Sequence, residues 1–239
     1  MKLLISLLLS FLIPSCTKTQ YMPDTSVSEK NMPASIKQSQ TYLALGDSYT
    51  IGEAVETSAS FPYQLQQLLN EKGLNVSSPR IIATTGWTTD ELQEAINKSQ
   101  IDPKYDFVTL LIGVNNQYRG YPLAQYKKEF ESLLNQAITF AQGDKTRVFV
   151  ISFPDWGATP FGQQSGRNLE TTAAEVDAFN AANREISNQA GVSYTDITPE
   201  SRNARVDAGL VATDGLHPSE KMYAAWAQAI CPKVFSRLK

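Results

Sequence analysis

Thr41-Tyr42-Leu43-Ala44-Leu45, closed by Gly46-Asp47-Ser48, runs apolar from Tyr42 to Leu45 without alternation. A strand with one wet face alternates polar and apolar residues, so an unbroken run predicts a strand covered on both faces. Runs of the same kind recur at Arg80–Ala83, Asp106–Ile112 and Arg147–Ile151, with a shorter one at Val192–Thr195.

Helical patterns fill the intervals. Ser60 is expected to cap a helix that aligns Leu65, Leu68 and Leu69 and stops at Gly73. Thr88 and Glu91 have capping-box spacing ahead of Leu92, Ala95 and Ile96. Pro122 is expected at the first turn of a helix whose apolar face carries Leu123, Tyr126, Phe130, Leu133, Leu134, Ala137, Ile138 and Ala141. Another helix is expected from about Asn168 to Ala190, ended by Gly191, and Pro218 is expected to open the last one, with Met222, Trp226 and Ile230 inward. Strand and helix in alternation predict a three-layer α/β/α sandwich around a five-stranded parallel sheet, one domain over residues 41–239.

The 239-residue chain has a formal net charge of −3, with 42% hydrophobic and 19% charged residues. These values fit a globular protein. The acidic balance argues against a nucleic-acid partner, which calls for a basic patch. One histidine and two cysteines exclude a zinc site built from several His or Cys ligands. No metal and no cofactor is expected, although carboxylate-only Mg or Ca sites remain compatible with the composition. The sequence carries no signal for oligomeric state.

The first residues are expected to be an address. Lys2 supplies positive charge, and Leu3–Ile13 is apolar apart from Ser6 and Ser10. The run is short of the roughly 20 residues that span a bilayer and suits the apolar region of a secretion signal. Leu12-Ile13-Pro14-Ser15-Cys16 resembles a bacterial lipobox, with Pro14 departing from the usual residue at that place. The resemblance implies a signal peptide over 1–15, cleavage before Cys16 and a lipid anchor on its sulfur, hence a place in the cell envelope; the plainer reading is an ordinary signal peptide with an incidental cysteine. Residues 17–40 are polar, contain Pro23 and Pro33, and are expected to be a flexible tether reaching roughly 25–30 Å. Cys231, in an apolar helical stretch, is expected to be a buried packing residue.

In parallel sheets, sites gather at the carboxyl ends of the strands. The segments expected there are Gly46-Asp47-Ser48-Tyr49, Thr84-Thr85-Gly86-Trp87, Gly113-Val114-Asn115-Asn116 and, before the last helix, Asp214-Gly215-Leu216-His217-Pro218. A serine hydroxyl is a weak nucleophile that needs a base, and the base needs a group to fix its tautomer. His217 is the only imidazole, so any Ser–His pair must use it, and Asp214 lies three residues before it. Singly, these residues read equally as a turn serine, a helix-start histidine and an Asp-Gly turn.

Together, Gly46-Asp47-Ser48, Gly86, Asn115 and Asp214-x-x-His217 resemble the SGNH hydrolases, also called the GDSL esterase and lipase family, in order and strand context over essentially all of 41–239. The resemblance implies a flavodoxin-like fold and a serine esterase working through an acyl-enzyme. In it Ser48 would be the nucleophile, His217 the general base and then acid, and Asp214 the group that orients His217. The backbone N–H groups of Ser48 and Gly86 and the side-chain amide of Asn115 would form the oxyanion hole. Tyr49 stands where the family name has Leu, a difference expected to bear on packing rather than chemistry.

Family members act on simple esters, thioesters, lysophospholipids and acetylated sugars, so the resemblance alone does not choose a small-molecule ester. The alternatives are a carbohydrate O-deacetylase, a lysophospholipase or thioesterase of the same fold, and a non-catalytic envelope binding protein. Trp87, Tyr118, Arg119, Tyr121, Trp156 and Phe161 fall in loops near the expected site edge, where they could meet substrate or anchor the loops.

Overall fold

A computed structural model describes residues 39–102 and 104–239. The expected signal peptide (1–15), Cys16 and the tether up to residue 38 lie outside the described residues. The strands are β1 (Tyr42–Asp47), β2 (Arg80–Thr84), β3 (Phe107–Leu111), β4 (Val148–Ile151) and β5 (Ser193–Thr195). They form one sheet in the order β2-β1-β3-β4-β5, and every pairing is parallel. The expected sandwich with its five-stranded parallel sheet is therefore present.

β1, β3 and β4 are buried at every position, as their unbroken apolar runs require, whereas edge strand β2 is half-exposed. The order of the strands follows from chirality. Crossovers are right-handed, so when the chain moves from β2 across β1 to β3, it reverses direction and changes face. The helices are α1 (Ser48–Ile51), α2 (Phe61–Glu71), α3 (Thr89–Lys98), α4 (Val114–Tyr118), α5 (Leu123–Phe140), α6 (Pro160–Gln164), α7 (Leu169–Ala190), α8 (Thr198–Ser201) and α9 (Glu220–Leu238). α2 packs on α9, while α3, α5 and α7 pack in sequence against one another. Leu65, Leu69, Trp226 and Ile230 are fully buried on the first pair and Phe130, Leu133 and Val176 on the second set. Each such side chain contributes roughly 1.5–3 kcal/mol of burial. Cys231 is buried in the α9 face of this core.

Several helix ends differ from expectation. Ser60 precedes α2, but its hydroxyl donates to the Thr57 carbonyl instead of capping. Pro122 sits one residue ahead of α5, at the cap position. Pro218 does not open α9: it bridges Val211 in antiparallel fashion, and Ser219 caps the helix by accepting from the Met222 N–H. The Thr88–Glu91 capping box is as expected, and the helix expected from about Asn168 begins at Leu169, with Asn168 capping it through the Thr171 N–H. The Gln40 N–H donates to the Asn75 carbonyl at 2.7 Å.

The reversal of direction leaves β1 and β3 adjacent at the topological switch point, the place where such sheets open a crevice. α1 follows β1 directly and α4 follows β3 after Gly113. Close approach here excludes a side chain at Gly46: a Cβ would lie 2.3 Å from the Leu111 carbonyl oxygen and 2.1 Å from Thr50 Oγ1.

Candidate active site

Ser48 begins α1 at the carboxyl end of β1. The preceding Asp47 caps this single turn, its Oδ1 accepting the Tyr49 N–H at 3.0 Å. Asp47 is wholly buried, and among the described residues its Oδ2 has no hydrogen-bond partner. Burial pushes its carboxyl up to about 7, against the opposing pull of the Tyr49 N–H. Tyr49 turns under the site, its ring centroid 5.5 Å from that of His217 and 6.3 Å from that of Trp226. The residue that departs from Leu thus packs against the imidazole and also lines the cleft beside it.

The loop before α9 is fixed by its own backbone. Ala212 N–H donates to the His217 carbonyl at 2.7 Å, and Ser219 N–H to the Leu210 carbonyl at 3.0 Å. Within this loop Asp214 uses its two oxygens differently. Oδ1 accepts the N–H groups of Leu216 and His217 at 2.9 and 3.0 Å, and Oδ2 lies 2.5 Å from His217 Nδ1. Desolvation acts to raise the Asp214 carboxyl, but the bonds from the His217 ring and these backbone donors outweigh it and hold the group below the usual carboxylate range. An ionised carboxylate only accepts, so the proton between the two groups belongs on Nδ1, which leaves Nε2 as the acceptor nitrogen.

Gly86 lies in the turn after β2 with a φ of +85°, a left-handed conformation that favours glycine. Its carbonyl accepts from Arg119 Nη2 at 2.6 Å, while among the described residues its N–H has no hydrogen-bond partner. Arg119 is itself paired with Glu91 at 3.2 Å, and Glu91 also accepts the Thr88 N–H at 2.9 Å in the capping box. Asn115, in α4, donates from Nδ2 to the Trp87 carbonyl at 3.0 Å. An amide carries two such donors, so the second is left over. The neighbouring Asn116 ties α4 to the start of α3 by bonding the Thr89 N–H and hydroxyl at 3.0 and 2.7 Å.

Ser48, Gly86, Asn115 and His217 line one cleft of about 180 Å³, with Tyr49, Thr85, Val114, Tyr118, Trp156, Phe161 and Leu216 completing its wall. Asp214 stands behind His217. Every residue singled out for chemistry in the sequence thus meets at one place. Ser48 and His217 are 5% and 7% exposed, so the site is sheltered yet open to the cleft. Among the described residues no hydrogen bond joins the Ser48 hydroxyl to His217; such bonds commonly tighten only when substrate is bound. A hollow behind His217, between Tyr49, Trp156 and Trp226, has a volume of about 10 Å³, room for no more than about one water.

The six loop residues divide. Tyr118, Trp156 and Phe161 line the cleft. Trp87 packs on the core, Tyr121 is half-buried and donates its N–H to the Asn116 carbonyl at 2.9 Å, and Arg119 braces Gly86 from behind. Trp156 is held by Gln117, which accepts its indole N–H at 2.8 Å, and by the loop of Asp155, whose buried carboxylate pairs with Arg202 at 2.9 Å. Gln117, Asp155 and Arg202 have no sequence signature for this role, because their partners come from distant segments.

The profile of the GDSL-like lipase/acylhydrolase family matches residues 44–225. The chain belongs to this family and is an ester-hydrolysing enzyme. Among solved structures, it is similar to a lipase/acylhydrolase from Enterococcus faecalis, at 19% identity and a TM-score of 0.66, with 84% of this chain and 97% of that one covered. TesA aligns at 18% identity and a TM-score of 0.65 over 83% of this chain and all (100%) of its own. Axe2, an acetylxylan esterase from Geobacillus stearothermophilus, aligns at 17% identity and a TM-score of 0.59, covering 82% and 94%. At these identities the likeness establishes the fold. No curated protein matches the chain.

Proposed function

We propose that the protein is a serine esterase in which Ser48 is the nucleophile, His217 the general base and then acid, and Asp214 the residue that orients and charge-stabilises His217. The observation that carries this reading is the convergence of Ser48, His217, Gly86 and Asn115 on one cleft, with Asp214 Oδ2 at 2.5 Å from His217 Nδ1. Ser48 Oγ attacks the ester carbonyl as its proton passes to His217 Nε2. The carbonyl oxygen becomes an oxyanion, met by the N–H groups of Ser48 and Gly86 and the spare amide hydrogen of Asn115. Collapse expels the alcohol, which takes the proton from His217, and leaves an acyl group on Ser48. Water, deprotonated by His217, then attacks that acyl group, and the acid is released as the proton passes from His217 back to Ser48 Oγ.

Substrates in this reading are small esters, because a cleft of about 180 Å³ suits a short acyl chain. Removal of a bulky acetylated sugar's acetyl group is the second reading, favoured by the exposed rings of Tyr118 and Phe161 beside the cleft. Turnover of short acyl esters compared with acetylated sugars separates the two. Ser48→Ala should abolish both while leaving the thermal unfolding curve in place; substantial turnover by the folded variant would overturn the mechanism.

We propose further that the enzyme works in the cell envelope, held by lipid on Cys16 beyond a tether of residues 17–40. The support is the sequence itself: the apolar run Leu3–Ile13 and the lipobox-like Leu12–Cys16. A lipidated form has enough acyl chain to anchor stably. Cys16→Ser should leave a protein that incorporates no fatty acid and leaves the membrane fraction; retention there with no lipid attached would refute the anchor.

A further inference from the structure

Resting on the serine esterase reading, we propose that Arg167 is a specificity-determining residue that selects esters whose anionic substituent reaches the aromatic wall at the edge of the cleft. The guanidinium of Arg167 lies over two rings that line the cleft, its carbon 4.4 Å from the centroid of Tyr118 and 5.4 Å from that of Trp156. The two rings meet edge to face at 5.1 Å and form one wall. The position is fixed further by a bond from Arg167 Nη2 to the Tyr118 carbonyl at 2.8 Å.

That bond uses one of the five N–H donors of a guanidinium. Among the described residues no carboxylate forms an ion pair with Arg167, although nearby arginines are matched: Arg119 with Glu91, and Arg202 with Asp155 and Asp177. Arg167 is exposed, as is the Tyr118 ring on which it rests, at 38%. A charge held on a stack, with donors unspent and no counter-charge, is set to accept a carboxylate or phosphate in the forked geometry that arginine favours. The chain as a whole is acidic, at −3, so its overall field repels such a substrate and the attraction has to be local.

The test compares neutral and anionic esters matched in size, using the full-length protein. In the acid arm, 4-nitrophenyl hydrogen glutarate is set against 4-nitrophenyl pentanoate. In the alcohol arm, the butyrate ester of a hydroxy acid is set against that of the corresponding alcohol. The proposal predicts a preference for the anion of roughly fivefold to tenfold in kcat/KM in one arm, fading as salt is raised. The arm that responds tells which side of the ester faces Arg167. In Arg167→Gln the ratio should fall to about one, and Arg167→Lys should keep part of it. Absence of preference in both arms, or a preference that survives in Arg167→Gln, would overturn the proposal. Failure to turn over any ester, neutral or anionic, would instead strike the esterase reading, and the proposal with it.

Discussion

Asp214 holds His217 with one carboxylate oxygen and the loop that carries both residues with the other. Oδ2 sits 2.5 Å from Nδ1 of the ring, and Oδ1 accepts the N–H groups of Leu216 and His217. Ring orientation and loop conformation therefore depend on a single side chain. The arrangement also ties into the cleft wall, since Gly215 accepts the Phe161 N–H at 2.9 Å.

Asp214→Asn separates the two tasks. The amide oxygen can still accept the loop N–H groups, but its NH2 would face Nδ1 and favour the tautomer with the proton on Nε2. The expected result is a fall in kcat of roughly 10³–10⁴ with a much smaller change in KM and little loss of stability. Steady-state kinetics beside a thermal melt check this. A large loss of stability with kcat preserved would make Asp214 a loop residue only.

Two aspartates in the site should affect stability in opposite senses. The Asp47 carboxyl stands at about 7 in the folded protein against 3.8 for the ordinary group. Between those values the folded state binds more protons than the unfolded state, so stability falls as pH rises, by up to ~4 kcal/mol. Asp47→Asn keeps an oxygen for the Tyr49 N–H and removes the titration. The variant should gain on the wild type when both are unfolded in urea at pH 8 rather than pH 5. An equal pH dependence in both proteins would contradict the assignment. Asp214, held below its ordinary range, stabilises above the unfolded value, and that contribution disappears as pH falls through the lower folded one.

In the proposed mechanism, Asn115→Ala removes a donor aimed at charge that develops only in the transition state. It should lower kcat by roughly 10²–10³, about 2.7–4 kcal/mol, with KM changed much less. Loss of the bond to the Trp87 carbonyl adds a small stability cost. If the melt shifts and kcat stays, Asn115 shapes its loop and nothing more.

Gly86→Ala leaves the backbone N–H in place, and a Cβ there meets only Arg119 Nη2, at an ordinary 3.5 Å. The obstacle is the positive φ, which costs a residue with a side chain about 1–2 kcal/mol. A lower melting temperature with reduced kcat is expected. Arg119→Ala, which frees the Gly86 carbonyl, should reduce kcat by about tenfold without altering the active serine. Equal kcat in Arg119→Ala and wild type would show that Gly86 needs no brace.

Much of this was legible in the sequence, for identifiable reasons. Strands buried on both faces announce themselves as apolar runs, and β1, β3 and β4 lie within a residue or two of Thr41–Leu45, Asp106–Ile112 and Arg147–Ile151. The residues for chemistry sit where strands end, and the parallel order brings those ends together. Features that depend on partners distant in sequence were not legible. Pro218 has the composition of a helix start, but its bridge to Val211 decides the local structure. Arg119 resembles a free surface cation until the Gly86 carbonyl, 33 positions away, accepts from it. The raised carboxyl of Asp47 comes from burial alone, and Arg167 acquires its setting only when α4 and the Trp156 loop meet.

The most direct test of the account is covalent trapping with an organophosphonate, which reacts with a serine only when a base and an oxyanion hole activate it. The native protein should take up one equivalent in parallel with the loss of ester turnover, and peptide mass spectrometry should find the adduct on Ser48. Ser48→Ala and heat-unfolded protein should stay unmodified. A native protein that hydrolyses esters yet carries no adduct, or carries it on another serine, would contradict the assignment of Ser48 as the nucleophile.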